Sequence, residues 1–212
     1  PVWHPVRRHL VFSDIKGSKR RSWSEREGVV EILDGTSNGN GLTLDADLNL
    51  LACEHASSVV ARFSEAGREV LASHWRGKEL NSPNDIVVGR DGAVWFTDPP
   101  YGRLKDFGYD RAPELDFSGV YRMGPGHRPG DEPELVVPEG MFDRPNGLCF
   151  SPDESVLYVN DTQQGNIRAF RVQDGALEGG EVFAEGIREE GQPGVPDGMK
   201  TDERGNVWLT GP

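Results

Sequence analysis

The chain has 212 residues, of which 35% are hydrophobic, and a formal net charge of −12. That apolar share suffices for a packed core and excludes a wholly disordered chain. The acidic balance excludes a nucleic-acid partner, whose capture needs clustered Lys and Arg, and no apolar run approaches the roughly 20 residues that cross a bilayer.

Glycine (27) and proline (15) separate short apolar runs, which predicts strands and tight turns in an all-β fold. The first element runs from Pro1 to Ser13 and reads as two strands. Lys16 to Arg21, the one basic cluster, reads as a solvated loop. Gly35 to Gly41 is glycine-rich but lacks the strand-to-helix context and the lysine of a phosphate cradle, so it too reads as a loop. Asn40 to Cys53 is strand, turn, strand. Its Asp45, Asp47 and Asn49 begin like a calcium-binding loop, but Leu50 and Ala56 stand where that loop needs Gly and Glu, leaving a turn. Asn84 to Asp98 is an alternating hairpin around Arg90-Asp91-Gly92. The stretch from Pro99 through Phe117, with Pro99-Pro100-Tyr101-Gly102, reads as an inserted loop over one face. Asn146 to Asn160 and Asp197 to Thr210 are two further hairpins. Cys53 and Cys149 lie inside apolar runs and are expected as buried, reduced thiols. Asn160-Asp161-Thr162 matches a glycosylation acceptor, a pattern too common to carry weight, and no nucleophile elbow of a serine hydrolase is present.

Laid against one another, the hairpins repeat, and their leading residues are Asn40, Asn84, Asn146 and Asp197. Their separations are 84 − 40 = 44, 146 − 84 = 62 and 197 − 146 = 51 residues. This spacing fits four-stranded propeller blades, the longest interval holding the insertion. A ring of about six such blades takes roughly 300 residues. With a start at Pro1 rather than Met and an end at Gly211-Pro212 just after a strand-like run, the expectation is one β-propeller domain over 1–212 that lacks part of its ring. In a propeller the inner strands of all blades run along one channel, so the four leading residues converge on one rim. Amide oxygens with a carboxylate suit a hard cation such as Ca²⁺, and the lack of His or Cys there disfavours zinc. Singly, each Asn-Gly or Asp-Gly reads as a turn. Four in register, three of them preceded by proline (Pro83, Pro145, Pro196), argue for a shared site.

The segments Asn81-Ser82-Pro83-Asn84-Asp85, Trp95 to Gly102, Arg144-Pro145-Asn146-Gly147, Leu157 to Asp161 and Val195-Pro196-Asp197-Gly198 together resemble the senescence-marker/gluconolactonase/regucalcin family, nearest its bacterial gluconolactonases. The resemblance covers nearly the whole chain. It implies a six-bladed propeller whose axial metal is held by a Glu, an Asn and an Asp, the last two being Asn146 and Asp197. The Glu is implied just ahead of Pro1-Val2-Trp3. It also implies Asn84 as a contact to substrate or water, and brings His55, in Cys53-Glu54-His55, and Tyr101 forward as candidate substrate contacts.

The expected activity is metal-dependent hydrolysis of a gluconolactone-like sugar lactone to the aldonic acid, with Asp197 as catalytic base and Ca²⁺ as cofactor, Zn²⁺, Mg²⁺ or Mn²⁺ being alternatives. The competing readings are a non-catalytic propeller that docks a protein partner and a paraoxonase-type calcium-dependent ester hydrolase. A small-molecule substrate, no membrane and a cytoplasmic location complete the expectation.

Overall fold

A computed structural model describes residues 1–188, 191 and 194–211. Its regular structure is almost wholly antiparallel sheet. The first sheet comprises β1 (Val2–His4), β2 (His9–Asp14), β3 (Lys19–Ser24) and β4 (Gly28–Asp34). The second comprises β5 (Gly39–Leu44), β6 (Leu50–Glu54), β7 (Val59–Ser64) and β8 (Gly67–Ala72), and the small pair β9 (His74–Trp75) and β10 (Lys78–Glu79) follows. The third holds β11 (Ile86–Val88), β12 (Val94–Asp98), β13 (Gly119–Met123) and β14 (Glu134–Leu135). The fourth holds β15 (Pro145–Phe150), β16 (Val156–Asp161), β17 (Asn166–Gln173) and β18 (Ala176–Ala184), and β19 (Met199–Thr201) pairs with β20 (Val207–Leu209). Each four-stranded sheet is a plain meander in chain order, and every repeated hairpin of the sequence forms the first two strands of a sheet.

The sheets pack face to face like the blades of a propeller, because alternation along their middle strands gives each two apolar faces. Leu51, Val60, Ile86, Phe96 and Tyr121 fill the gap between the second and third sheets. Trp95, Val120, Leu148, Leu157 and Phe170 fill the next. Phe96 and Tyr121 are fully buried and stacked, with ring centroids 5.4 Å apart, and truncating such a residue costs roughly 3–5 kcal/mol. Cys53 and Cys149 are free and buried, as expected.

The leading strands lie against one another: β5 touches β1 and β11, β11 touches β15, and β15 touches β19. At the far ends of the leading hairpins a repeated aspartate tightens the turn. Asp45 Oδ1 accepts from the N–H of Asp47 (3.0 Å) and Asn49 (2.8 Å), and Asp202 Oδ1 from those of Arg204 and Asn206 (both 2.9 Å). Asp45 is thus the turn residue expected.

The basic cluster departs from expectation. Lys19, Arg20 and Arg21 lie in β3, and Arg20 is buried, its guanidinium stacked 4.2 Å above the Phe63 ring. The aliphatic stem lets an arginine take an inward strand position, and burial draws its pKa down to about 10.

Candidate functional site

The starts of the leading strands surround a cavity of about 460 Å³. Asn40, Asn84, Asn146 and Asp197 all line it, together with Asp85, Lys200 and the chain's first residue, Pro1. Local backbone irregularities aim two of these side chains. The β5–β6 register shifts between Gly39 and Leu42, and the β15–β16 register between Pro145 and Leu148, so Asn40-Gly41 and Asn146-Gly147 both sit on bulges. Bulges beside functional sites re-aim a side chain that regular pairing would place elsewhere.

The backbone carbonyl of each leading residue is caught from a neighbouring strand pair. Ser13 Oγ of the first sheet donates to Asn40 O (2.6 Å), Gly41 N–H of the second to Asn84 O (2.8 Å), Thr97 Oγ1 of the third to Asn146 O (2.7 Å), and Asn160 Nδ2 of the fourth to Asp197 O (2.6 Å). Ser13, Thr97 and Asn160 occupy the penultimate position of the second strand in their sheets. Cys53 holds that position in the second sheet, and there Gly41 makes the bond instead.

The Asn146 side chain is 5% exposed. Its Nδ2 donates to Thr162 Oγ1 (3.0 Å), and Thr162 Oγ1 donates onward to Pro196 O (2.7 Å). The Asn146 Oδ1 is buried and has no partner among the described residues. An unpaired buried carbonyl costs about 1–3 kcal/mol unless something satisfies it. Across the cavity, burial first and the Asp85 charge second push the Asp197 carboxyl above the usual range, against a hydrogen bond from Asn146. Asp85 itself accepts from Ile86 N–H (2.9 Å) and Leu148 N–H (3.2 Å), tying the third sheet to the fourth.

An orphaned amide oxygen and a carboxyl whose charged form burial disfavours, on two residues lining one cavity, are donors that a hard cation would satisfy. No group of three His, Cys, Asp or Glu side chains able to hold a metal occurs among the described residues, so the amides are central to this fit.

His55 and Tyr101 do not line the cavity. His55 is 2% exposed and stands behind Asn40, its Nε2 3.1 Å from Asn40 Nδ2. Burial lowers its pKa to about 4, so the ring is neutral near pH 7. Tyr101 belongs to a 3₁₀ turn (Tyr101–Arg103), its ring 5.5 Å from the Arg144 guanidinium. The insertion around it folds back onto the second and third sheets. Arg103 is buried and donates to Asn81 O (2.8 Å), Leu80 O (2.6 Å), Ala112 O (2.8 Å) and Glu79 Oε2 (2.7 Å). Asn160 and Thr162, which match a glycosylation acceptor, are both buried.

Sequence reasoning passed over Asp85, Lys200 and Thr162. Asp85 and Lys200 each lie within three residues of a leading residue, a proximity that could have marked them. Thr162 lies sixteen residues from its partner, and no local pattern marks it.

Sheets packed around a cavity on which three asparagines and two aspartates meet define a propeller-like protein. The family model described as SMP-30/Gluconolactonase/LRE-like region matches residues 1–212, and the chain belongs to this family. It is 30% identical over 233 residues to a gluconolactonase of Zymomonas mobilis, covering 100% of this chain and 64% of that one. It is 26% identical to a pentonolactonase of Haloferax volcanii, covering 98% and 64%. The chain thus spans 64% of the length of these two relatives. Among solved structures, a gluconolactonase of Xanthomonas campestris superposes with a TM-score of 0.87 at 39% identity, covering 98% of this chain and 67% of that one. The calcium-binding protein regucalcin of Agrobacterium tumefaciens gives 0.73 at 19%, covering 99% and 65%, a likeness of fold.

Proposed function

We propose that the protein hydrolyses a sugar lactone to its aldonic acid, using a divalent cation held by Asn146 Oδ1 and the Asp197 carboxylate. The observation that carries this reading is the meeting of those two groups, with Asn40, Asn84 and Asp85, on one cavity. The lactonases among the relatives support an aldonolactone as substrate. Calcium suits the oxygen donors best, with Mg²⁺, Mn²⁺ and Zn²⁺ as alternatives. The ring would close with about six blades, and we place the protein in the cytoplasm.

When bound, the cation supplies a positive charge against the negative charge that grows on the lactone carbonyl oxygen. Asp197 accepts a proton from the attacking water and returns it to the ring oxygen as the acyl–oxygen bond breaks, so one water is consumed and the carboxyl keeps its starting state. Asn84 lines the cavity and its amide makes no hydrogen bond among the described residues, which leaves it to hydrogen-bond a substrate hydroxyl.

The test is a panel of aldonolactones assayed with and without a chelator, alongside Asp197→Asn. The expected result is chelator-sensitive hydrolysis that falls by on the order of 100-fold or more in the variant. A protein inactive on every lactone, with a melting temperature indifferent to calcium, would point instead to a non-catalytic propeller.

A further inference from the structure

In each four-stranded sheet the second strand ends on an acid, and the residue after it is Ile15, His55, Pro99 or Thr162. In two sheets this residue faces the amide of that sheet's leading asparagine. His55 Nε2 is 3.1 Å from Asn40 Nδ2, and Thr162 Oγ1 is 3.0 Å from Asn146 Nδ2. In the third sheet Pro99 offers no side-chain acceptor, and the Asn84 amide makes no hydrogen bond among the described residues.

The hydrogen count at Thr162 settles which way the Asn146 amide is turned. A hydroxyl carries one hydrogen, and that of Thr162 is committed to Pro196 O at 2.7 Å. Toward Asn146 the hydroxyl can therefore only accept. The amide must present its NH₂ to Thr162, which turns Oδ1, buried and unpartnered among the described residues, away from that hydroxyl. The neighbouring Asp197 carboxyl, to which Asn146 also donates, favours the same orientation; without the Thr162 hydroxyl the two nearly isosteric ends of the amide are told apart by that one bond alone.

We propose that Thr162 is a positioning residue that holds the NH₂ of Asn146 and so commits its carbonyl edge to a ligand, and that the lack of such a residue behind Asn84 leaves its amide able to turn either edge to a substrate. The proposal rests on the reading of Asn146 Oδ1 as a cation ligand. It divides the leading asparagines by what stands behind them: a pinned amide is a fixed acceptor, suited to a cation, and an unpinned one adapts to hydroxyls that both donate and accept.

The experiment compares wild type, Thr162→Val and Thr162→Ser by calorimetric titration with calcium. The Asn146 side-chain NH₂ resonances, identified by their loss in Asn146→Asp, are followed in parallel without metal. Valine keeps the shape and removes the hydroxyl, both as acceptor from Asn146 and as donor to Pro196 O, and serine restores both, so the Asn146 NH₂ signal is the readout specific to the amide. Losing a group that orients a metal ligand typically weakens affinity by roughly 10–100-fold. We expect that loss in Thr162→Val, with faster solvent exchange of the Asn146 NH₂, and affinity within about threefold of wild type in Thr162→Ser. Near-ultraviolet circular dichroism shows that each variant is folded. A folded Thr162→Val with wild-type affinity and an unchanged amide spectrum overturns the positioning role alone, as does a Thr162→Ser as impaired as the valine. Wild-type protein that binds no calcium overturns the cation reading and the positioning role with it.

Discussion

Replacing Gly147 with alanine should push apart the two segments that carry Asn146 and Asp197. A Cβ built on Gly147 meets the Asp197 carbonyl oxygen at 2.2 Å, and the Asn160 Nδ2 and Met199 N at 2.8 Å, where ordinary contacts lie between 3.4 and 4 Å. Two of these are backbone atoms, and the third is the amide that holds the Asp197 carbonyl, so no flexible side-chain tip can yield. The segments must part by about an ångström. Overpacking of this kind costs roughly 1–3 kcal/mol, and rigid backbone places Gly147→Ala near the upper figure. For a chain of this size that is a melting temperature lower by roughly 6–12 °C. Because Asn146 and Asp197 sit on the two segments, an ångström of misplacement should also lower kcat by on the order of 100-fold. Gly198→Ala is the internal control. It occupies the same place in the repeat, but its Cβ meets nothing nearer than Thr210 Oγ1 at 3.8 Å, so its effect should stay within about 0.5 kcal/mol. Scanning calorimetry and lactone hydrolysis at saturating calcium measure both variants. The reasoning fails if Gly147→Ala melts with wild type, or if Gly198→Ala is equally damaging.

His55 should make stability sensitive to acid. Its folded pKa, about 4, lies below the ordinary 6.5, so its contribution is intact above pH 6.5 and is lost as pH falls toward 4, amounting to roughly 3 kcal/mol. His55→Gln, a neutral acceptor, should flatten that part of the profile in urea melts at pH 7 and pH 4. Arg103→Met should cost roughly 3 kcal/mol by leaving Leu80 O and Ala112 O without the arginine's donors and by taking one donor each from Asn81 O and Glu79, which keep Ser58 and Arg111, and limited proteolysis should then cut between Pro99 and Phe117 far faster. Calcium at about 100 times its Kd should stabilise the wild type by roughly 2.7 kcal/mol, and Asp197→Asn should lose most of that increment in thermal melts.

The repeat made the fold legible, because each sheet opens with the same hairpin and alternating side chains mark both of its faces. Asn40, Asn84, Asn146 and Asp197 could be placed together because equivalent positions in stacked sheets share an axis, whatever the sequence between them. Features set by packing between sheets were not legible. Arg20 reads as solvated in a run of basic residues, and only the Phe63 ring opposite explains its burial. His55 came forward as a substrate contact because Cys53-Glu54-His55 resembles a family segment near the pocket, and its place behind Asn40 depends on where β6 ends relative to β5. The hydroxyl of Thr162 owes its importance to a carbonyl 34 residues away, at Pro196.

The carbonyl latches that run from sheet to sheet also set how faults spread. Each leading residue is fastened by a single donor from a neighbouring strand pair, so a displaced sheet mispositions the one oxygen it fastens and not the whole rim. A protein assembled by copying one module can therefore accept insertions such as Pro99 to Phe117 in a single module while the others keep their aim. Lengthening a chain at one spoke need not retune the hub.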